Sequence, residues 1–383
     1  MHICMLCNFF YPTALFGGIE RHVYNLSKGL SEAGFEVSII TSDLFTYSGR
    51  KYFAQSESQN EEVIIQRLHT YADLMNNPIT PSLLFKLFQN GFDMIHCHDH
   101  YYFGSLISAC ATRIQKKPLV LTIHTSKIEY RQIFPSLIRS IYDLSFSKYV
   151  LNTCDRIIVL SEALRKKVLG DNVPLSKIRC IPNGIDFDEF STNTFTTSKR
   201  SGKSNVLLFV GRLVERKGLH VLLEAIKLIS NQLNCKLVII GDGPQRNELE
   251  KLSKALEIDS IVSFLGHVSQ KELIEAYQSS DIFVLPSISG EVQPFVLLEA
   301  IAFQKPFIAT KVGGIPDLER QGLFGYFVEP NNPIAIADAM LDFSQTKTNN
   351  FMWKSNINRR TAKQKFSTER MVKDTIKVYE ELM

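Results

Sequence analysis

The chain has 383 residues, of which 45% are hydrophobic and 21% are charged, and its formal net charge is +4. This length predicts two domains rather than one core, and the composition excludes a disordered or fibrous chain. No apolar run approaches the roughly 20 residues that span a bilayer. The seven scattered cysteines favour a protein of the reducing cytoplasm over a disulfide framework.

The predicted elements alternate between short β-rich runs and helices, which is typical of doubly wound α/β domains. "HICMLCNFF" is interpreted as a first strand rather than a signal peptide, followed by Gly17 and Gly18, the helix "ERHVYNLSKGLSEAG" and the strand "EVSIIT". The same order recurs from the strand "NVLLFVG" through the loop "RLVERKG" and the helix "LHVLLEAIKLISNQL" to the strand "KLVIIGDG". Such loops attract phosphate through backbone N–H groups and a helix N-terminus.

The remaining strand predictions divide the chain into two halves. They are "FDMIHCH", "PLVLTIH", "RIIVLS", "KIRCIPNG", "IVSFLG", "DIFVLPS" and "PFIATKVGG". A polar segment near 187–205 predicts the boundary, giving domains 1–188 and 189–366. The C-terminal helix, about 367–383, is free to pack back on the first domain.

Basic residues are concentrated between Arg113 and Lys148, where seven lysines and arginines face two acidic residues. Solvated helix faces explain most clusters of this kind. The alternative is an anionic surface, which would place the protein peripherally at the inner face of a membrane. No nucleic-acid partner is expected.

Three familiar nucleotide and hydrolase motifs are missing. "SGKS" at 201–204 matches the end of a P-loop, but Thr197 stands where that motif needs glycine, and a strand follows it instead of preceding it. GxGxxG is absent from both glycine loops, which argues against a dinucleotide dehydrogenase. GxSxG is absent too, so an α/β-hydrolase has no support.

Charged residues follow two predicted strands of the second half. Arg212 and Lys217 in "GRLVERKG" could bracket a diphosphate. In "SISGEVQPFVLLEA", Pro294 is predicted at the first position of a helix, with Glu291 before it and Glu299 about two turns inside. Carboxylates accept hydrogen bonds from sugar diols, so each glutamate could contact a different part of one ligand. The alternative is that both are solvated.

Together these segments resemble family 4 retaining glycosyltransferases of the GT-B fold over almost the whole chain. The matching pieces, in order, are "GGIERHVYNLSKGLSEAGFEVSIIT", "DMIHCHDHYYFG", "LVLTIH", "RIIVLSE", "IPNGID", "GRLVERKG", "GDGP", "LGHV", "SDIFVLPS", "EVQPFVLLE" and "EAIAFQKPFIATKVGGIPDL". The resemblance implies two Rossmann-like domains facing across a cleft. It also implies transfer of a hexose-type sugar from a nucleoside diphosphate, with UDP-sugars preferred.

The resemblance assigns phosphate and sugar contacts to five positions. Gly17 and Gly18 resemble the loop that approaches the donor phosphates, and Arg212 and Lys217 resemble the diphosphate clamp. His124 resembles the active-site histidine near the donor sugar. With Glu291, the clamp and this histidine are the residues expected to carry catalysis.

The rest of the donor site follows from the same resemblance. Glu299 resembles the ribose-binding glutamate, and Glu291 the one that faces the donor sugar. "GDGP", with Gly241, and "LGHV", with His267 and Val268, resemble the walls of the base pocket.

One segment departs from the family pattern. The family commonly has Glu-Gly-Phe-Gly where this chain has "EVQP", and Pro294 has no N–H to offer a sugar hydroxyl. Gln293 or Phe295 is therefore expected to take over that contact, with Val296 beside them in the donor site.

The segment "HCHDH" at 96–100 could suggest a metal site, because two of its histidines share a face of the strand. Enzymes of the resembled family need no metal, so no metal or other cofactor is expected. An acceptor-side or structural role is predicted for His98 and Asp99. His22, His220 and His267 are expected at the surface or behind the residues that touch ligand.

The predicted mechanism is front-face transfer with retention, in which the departing phosphate takes the acceptor's proton. Two rival functions stay open: a nucleotide-sugar 2-epimerase and a non-catalytic nucleotide-sugar-binding protein. Loops between roughly 45 and 135 are expected to receive the acceptor, whether a sugar, a lipid-linked molecule or a small molecule.

Overall fold

The computed structural model describes residues 1–10, 17–47, 50–53, 57–60, 63–74, 77–89, 91–125, 143–170, 172–190, 205–346 and 348–383. The chain divides into two compact units. The first unit is Met1–Gly184 together with Thr368–Met383, and the second unit is Ile185–Ser367.

The first unit is built on an eight-stranded sheet, whose strands in chain order are β1 (His2–Leu6), β2 (Glu36–Ser42), β5 (Glu57–Asn60), β6 (Val63–Leu68), β9 (Met94–His98), β10 (Leu119–Ile123), β11 (Arg156–Val159) and β12 (Ile178–Cys180). Two further pairs, β3 (Leu44–Tyr47) with β4 (Arg50–Phe53) and β7 (Ala72–Asp73) with β8 (Pro78–Ile79), form separate two-stranded sheets. Its helices before residue 185 are α1 (Gly18–Glu32), α2 (Leu83–Gln89), α3 (Phe103–Gln115), α4 (Lys148–Thr153) and α5 (Glu162–Gly170), with a π-helical turn at Asp143–Ser147 and a 3₁₀ turn at Leu175–Lys177.

The order of strands in this sheet is β12-β11-β10-β9-β1-β2-β6-β5. All neighbours are parallel except the edge pair β5 and β6. The chain runs outward from β1 to β2 and β6, then returns to β9 on the other side. The switch point therefore lies between β1 and β9, and ligands of such sheets bind beyond the carboxyl ends of the strands at that point.

The second unit has a six-stranded, wholly parallel sheet. Its strands are β13 (Asn205–Val210), β14 (Cys235–Ile240), β15 (Val262–Gly266), β16 (Ile282–Leu285), β17 (Phe307–Thr310) and β18 (Tyr326–Val328). Its helices are α6 (Leu219–Ile229), α7 (Arg246–Ala255), α8 (Gln270–Ser279), α9 (Phe295–Ala302), α10 (Ile315–Arg320), α11 (Pro333–Gln345) and α12 (Thr348–Phe366), with 3₁₀ turns at Glu215–Lys217 and Asp259–Ile261. The order β15-β14-β13-β16-β17-β18 puts the switch point between β13 and β16.

Both sheets are buried at their centres. Every residue of β9, β10, β16 and β17 is buried, as expected of parallel strands that are covered on both faces. β10, β16 and β17 are rich in Ile, Val, Leu and Phe, whereas β9 buries two histidines, and burial of the apolar side chains drives each unit to fold.

The C-terminal helix α13 (Thr368–Glu380) belongs to the first unit and packs on α1. The contact is close, since an added Cβ at Gly29 of α1 would lie 2.4 Å from Val372 Cγ2. Buried Tyr379 forms a 2.7 Å hydrogen bond between its hydroxyl and His96 Nδ1 of β9. The units divide at 184/185 and 367/368, where the sequence analysis placed the boundaries at 188/189 and about 366/367.

The predicted α/β fold of two Rossmann-like parallel sheets is confirmed, and each strand predicted from its apolar run is present. The strands β3–β8 and β18 were not predicted. Within the described part of the chain, no helix combines the length and apolarity that crossing a membrane requires.

Candidate functional site

A buried ion pair lies at the switch point of the second unit. Lys217 ends the 3₁₀ turn after β13, and its Nζ donates to Glu291 Oε1 at 2.5 Å. Ser287, just beyond β16, donates its hydroxyl to the same oxygen at 2.6 Å. Burial alone would raise the pKa of Glu291, but the charge of Lys217 and the hydrogen bonds from Lys217 and Ser287 outweigh it and lower that pKa. Glu291 is therefore ionised at neutral pH.

The backbone around Glu291 is held from two sides. Gly313 has φ +57°, and an added Cβ there would lie 1.5 Å from the carbonyl oxygen of Glu291, so only glycine fits. The N–H of Gly314 donates to that carbonyl oxygen at 3.0 Å. On the other side, the N–H of Ile288 donates to the carbonyl oxygen of Arg216 at 2.8 Å. The loop after β16 is thus fixed to the loops after β13 and β17.

Arg212 and Arg216 differ in how they meet this pair. Arg212 lies exposed in the loop after β13. Arg216, which the sequence reasoning missed, places Nη1 3.9 Å from Glu291 Oε1 and keeps about half of its side chain exposed. Lys217 is buried with Glu291, so the two residues predicted as one clamp occupy different environments.

Glu299 is buried separately in α9. The hydroxyl of Tyr277 donates to Glu299 Oε2 at 2.8 Å, and the Tyr277 ring stacks on Phe303 with ring centroids 5.1 Å apart. Both glutamates are 5% exposed or less, so the interpretation of two solvated glutamates is wrong. Glu291 and Glu299 have separate partners.

The start of α9 differs from the prediction in detail. Pro294 is the N-cap, with extended backbone, and the first helical residue is Phe295. Glu299 consequently lies one turn inside the helix rather than two. Gln293 and Phe295 are buried beside the helix start, and Val296 is half-buried.

The two segments predicted to wall the base pocket meet at their backbones. The N–H of Gly241 donates to the carbonyl oxygen of Gly266 at 2.8 Å, which places "GDGP" against "LGHV". An added Cβ at Gly241, whose φ is +123°, would lie 2.0 Å from the carbonyl oxygen of Gly211. His267 is exposed and Val268 is half-buried next to this junction.

The glycine loop of the first unit is accompanied by a carboxyl group. Gly17 and Gly18 are exposed at the start of α1, and an added Cβ on Gly17 would lie 2.4 Å from Glu20 Oε2. Burial raises the pKa of Glu20 to about 7. Hydrogen bonds from the backbone of Glu20 and Gly17 lower this pKa, but the effect of burial is larger. The sequence reasoning missed this residue.

Asp99 anchors the loop that carries His124. It follows β9 with φ +63°, and its Oδ1 accepts from the backbone N–H of His124 at 2.7 Å and of Thr125 at 3.2 Å. His98 Nδ1 and His124 Nε2 share a hydrogen bond of 3.0 Å. Asp99 therefore has a structural role, and the acceptor-side role of His98 and Asp99 stays a prediction.

His22 lies in the same group, and His220 does not. His22 is 2% exposed, and its ring centroid lies 4.6 Å from that of His124. His220 is half-buried at the start of α6, in the second unit. Of the two alternatives for His22, the surface position is wrong, because His22, Leu26 and Leu30 share the buried face of α1, and the position behind the residues that touch ligand stays a prediction.

Only part of the basic cluster lies in the described residues. Arg113, Lys116 and Lys117 are at the C-terminal end of α3, where Lys116 adopts the left-handed conformation with φ +55°. Lys148 begins α4. The members Lys127, Glu129, Arg131 and Arg139 lie outside the described residues, as do Thr197 and "SGKS".

Comparison with known proteins places the chain in one enzyme class. The family described as glycosyl transferases group 1 matches residues 191–360, and the family described as Glycosyltransferase Family 4 matches residues 16–189. An uncharacterised glycosyltransferase of Methanocaldococcus jannaschii is 30% identical to this chain, and the alignment covers 99% of this chain and 98% of that protein. The phosphatidyl-myo-inositol mannosyltransferase of Mycobacterium leprae is 28% identical, with 89% of this chain and 87% of its own covered.

Solved structures share the fold. The Anabaena protein HepE in complex with UDP has a TM-score of 0.77 at 18% identity, with 100% of both chains covered. A glycosyltransferase from Rickettsia africae has a TM-score of 0.76 at 19% identity, covering 100% of this chain and 98% of its own. The fold and these matches define a glycosyltransferase of the GT-B class. The chain belongs to glycosyltransferase family 4.

Proposed function

We propose that the protein is a retaining glycosyltransferase that transfers a hexose from a UDP-sugar to a sugar, lipid-linked or small-molecule acceptor. The observation that carries the proposal is the buried pair of Lys217 and Glu291 at the switch point between β13 and β16. Glu299 lies one helical turn beyond the start of α9, also buried. One cation and two carboxylates, which accept hydrogen bonds from hydroxyl groups, lie near this switch point. They suit a nucleotide sugar, in which a diphosphate links a ribose to a hexose.

The diphosphate is proposed to bind Lys217 and Arg212. The ammonium of Lys217 carries three N–H groups, and its hydrogen bond to Glu291 leaves two for phosphate oxygens. Arg212 is exposed in the same loop, and its planar guanidinium can form hydrogen bonds with the phosphate oxygens. These charges stabilise the negative charge that develops on the departing phosphate.

The two carboxylates are proposed to divide the donor between them. Glu299 binds the ribose diol, and Glu291 orients the transferred hexose. Serine, lysine and tyrosine partners hold each carboxylate in one position before donor binds, which reduces the cost of ordering the site. Front-face attack needs no carboxylate beneath the anomeric carbon, so positioning and charge stabilisation carry the reaction.

The sugar-side role of His124 and the phosphate-side roles of Gly17 and Gly18 stay predictions, as do the base contacts of Gly241, His267 and Val268. Uridine is proposed as the base, supported by the UDP-bound structures of HepE. A metal-free reaction is proposed because Lys217 and Arg212 supply the positive charge. The contact with anionic membranes predicted from the basic cluster also stays a prediction.

The two rival functions have less support. An epimerase or a non-catalytic binder would also bind nucleoside diphosphate, but family membership favours transfer to an acceptor. Labelled UDP-hexose separates the three functions. Transfer gives a glycoside that keeps the anomeric configuration of the donor, epimerisation gives a second nucleotide sugar, and binding alone gives neither.

We expect calorimetric titration of the EDTA-treated protein with UDP, GDP and ADP to show binding to one site per chain, with UDP tightest. Arg212→Ala should weaken UDP binding by about 1.5–3 kcal/mol, the value of a charge-assisted hydrogen bond. Arg360→Ala, in α12, is the matched arginine control and should bind UDP normally. Tighter binding of GDP or ADP would contradict the choice of uridine, and unchanged affinity in Arg212→Ala would remove Arg212 from the clamp.

A further inference from the structure

Three buried histidines of the first unit converge on one point. His22 comes from α1, His98 from the end of β9, and His124 from the residue after β10. One ring nitrogen from each lies within 4.8 Å of the other two, and none of the three side chains is more than 9% exposed. Among the residues that the structure describes, this is the one group of three side chains with donor atoms so arranged.

Protein hydrogen bonds leave ring nitrogens of this group unsatisfied. His22 Nδ1 donates to Asn183 Oδ1 at 2.9 Å, so the lone pair of the ring is on Nε2, and His22 Nε2 has no hydrogen-bond partner. His98 faces His124 through Nδ1, at 3.0 Å from His124 Nε2, so the partnerless His98 Nε2 lies on the far side of the ring and the unsatisfied atom at the shared point is His22 Nε2. Buried polar atoms without partners are uncommon and call for a ligand, an ion or a water.

The spacing suits a tetrahedral transition metal. Imidazole nitrogens bind Zn²⁺ at about 2.0–2.1 Å, so two of them on one ion are about 3.3 Å apart. The observed 3.0 Å between His98 Nδ1 and His124 Nε2 is close to that separation, and small ring rotations bring in His22. The bond from His22 Nδ1 to Asn183 matches the outer hydrogen bond that orients metal-binding histidines.

The protonation state also fits. Burial lowers the pKa of His22 to about 4 and holds the pKa values of His98 and His124 well below their usual range. Neutral imidazoles have a lone pair ready for a metal at pH 7. The nearby carboxylate of Asp99 is engaged by the backbone N–H groups of His124 and Thr125, so the donor set is nitrogen and favours Zn²⁺ over Mg²⁺.

We infer that His22, His98 and His124 form a three-histidine site for Zn²⁺, with a fourth position for water or another small ligand. The ion is not a requirement of the transfer reaction, for which a metal-free mechanism is proposed. If His124 orients the donor sugar, bound Zn²⁺ inhibits transfer, and that consequence alone rests on the proposed function.

The inference is tested by titrating Zn²⁺ into the EDTA-stripped and dialysed full-length protein in a calorimeter. Co²⁺, titrated separately, reports tetrahedral coordination through its visible absorption. One Zn²⁺ per chain is expected, with little heat from Mg²⁺. His22→Gln and His98→Gln should each weaken Zn²⁺ binding at least 10-fold, and Asn183→Leu should weaken it by about 10–100-fold while keeping one site per chain.

His69 is the matched control, since it is an exposed histidine with Nδ1 3.0 Å from Asp43 Oδ2. His69→Gln should bind Zn²⁺ as the wild type does. Circular dichroism and thermal melting check that each variant is folded, and Asn183→Leu, which keeps all three histidines, serves if a histidine variant unfolds.

Absence of Zn²⁺ binding, or binding lost in His69→Gln and kept in His22→Gln and His98→Gln, would overturn the inference. UDP titration of the same metal-free protein is independent of it. Normal UDP binding without Zn²⁺ binding would leave the proposed function intact, and the reverse result would leave the zinc site intact.

Discussion

Replacing Lys217 by methionine is expected to destabilise the second unit by about 3–5 kcal/mol. Methionine has a similar length and fills the space of the lysine stem, but it leaves Glu291 as a buried charge with only Ser287 as a full hydrogen-bond donor. Removing one partner of a buried pair strands the other charge, which costs far more than the pair contributes. Urea denaturation followed by circular dichroism measures the loss.

The same variant should lose affinity for UDP. A charge-assisted bond to phosphate contributes about 1.5–3 kcal/mol, so Lys217→Met should bind UDP at least 10-fold more weakly in calorimetry. The titration is done below the temperature at which the variant begins to unfold.

Lys227→Met is the matched control for Lys217→Met. Lys227 also pairs with a glutamate, Glu257, at 3.2 Å, but both side chains are exposed. Surface pairs contribute about 1 kcal/mol or less, so this variant should unfold and bind UDP nearly as the wild type does. A second check is Lys217→Met combined with Glu291→Gln, which removes both charges and should recover part of the stability. If Lys217→Met cost no more than Lys227→Met, Glu291 would not be a buried charge that depends on Lys217.

Glu291→Gln and Glu299→Gln are expected to fail in different ways. Glu299→Gln should weaken UDP and UDP-hexose alike, because the carboxylate proposed to bind ribose is lost from both complexes. Glutamine keeps an oxygen that accepts from the Tyr277 hydroxyl, so the helix α9 should remain in place.

Glu291→Gln should instead keep or slightly raise UDP affinity. The positive charge of Lys217 is then no longer neutralised by the Glu291 carboxylate, so it attracts the diphosphate more strongly. Transfer should fall by on the order of 10²-fold, since the hexose is no longer held in position for attack. Calorimetry with UDP and a rate assay with UDP-hexose separate the two effects. An equal loss of UDP affinity in both variants would contradict the proposed division of the donor.

The sheets could be predicted because their central strands are continuous apolar runs. Strands such as "PLVLTIH" and "DIFVLPS" are bounded by proline, glycine or polar residues and are buried on both faces. β6 was missed because its apolar run "VII" is followed at once by Gln66 and Arg67, and β18, which is no shorter than the predicted β12, has only the run "YFV" between a glycine and a proline-bearing turn. Short edge strands depend on their neighbour for pairing, so their own sequence carries a weak signal.

The site could be predicted only as a set of loops. Position after a strand identified Lys217 and Glu291, but they are 74 residues apart, and nothing local shows that they bond to each other. The need for glycine at position 313 depends on the carbonyl oxygen of Glu291, and is equally non-local. His22 was different, since its spacing of four from Leu26 already placed it on the apolar face of α1.

Phosphorus NMR of UDP-hexoses incubated with the protein in EDTA, with water and glycerol as acceptors, tests the central claim most directly. The wild type should release UDP from at least one UDP-hexose, and the released UDP should be matched by free hexose and glyceryl hexoside. Glu291→Gln should release on the order of 10²-fold less while still binding UDP. Absence of UDP release from every UDP-hexose, or release only after Mn²⁺ is added, would contradict a metal-free glycosyltransferase acting through Lys217, Glu291 and Glu299.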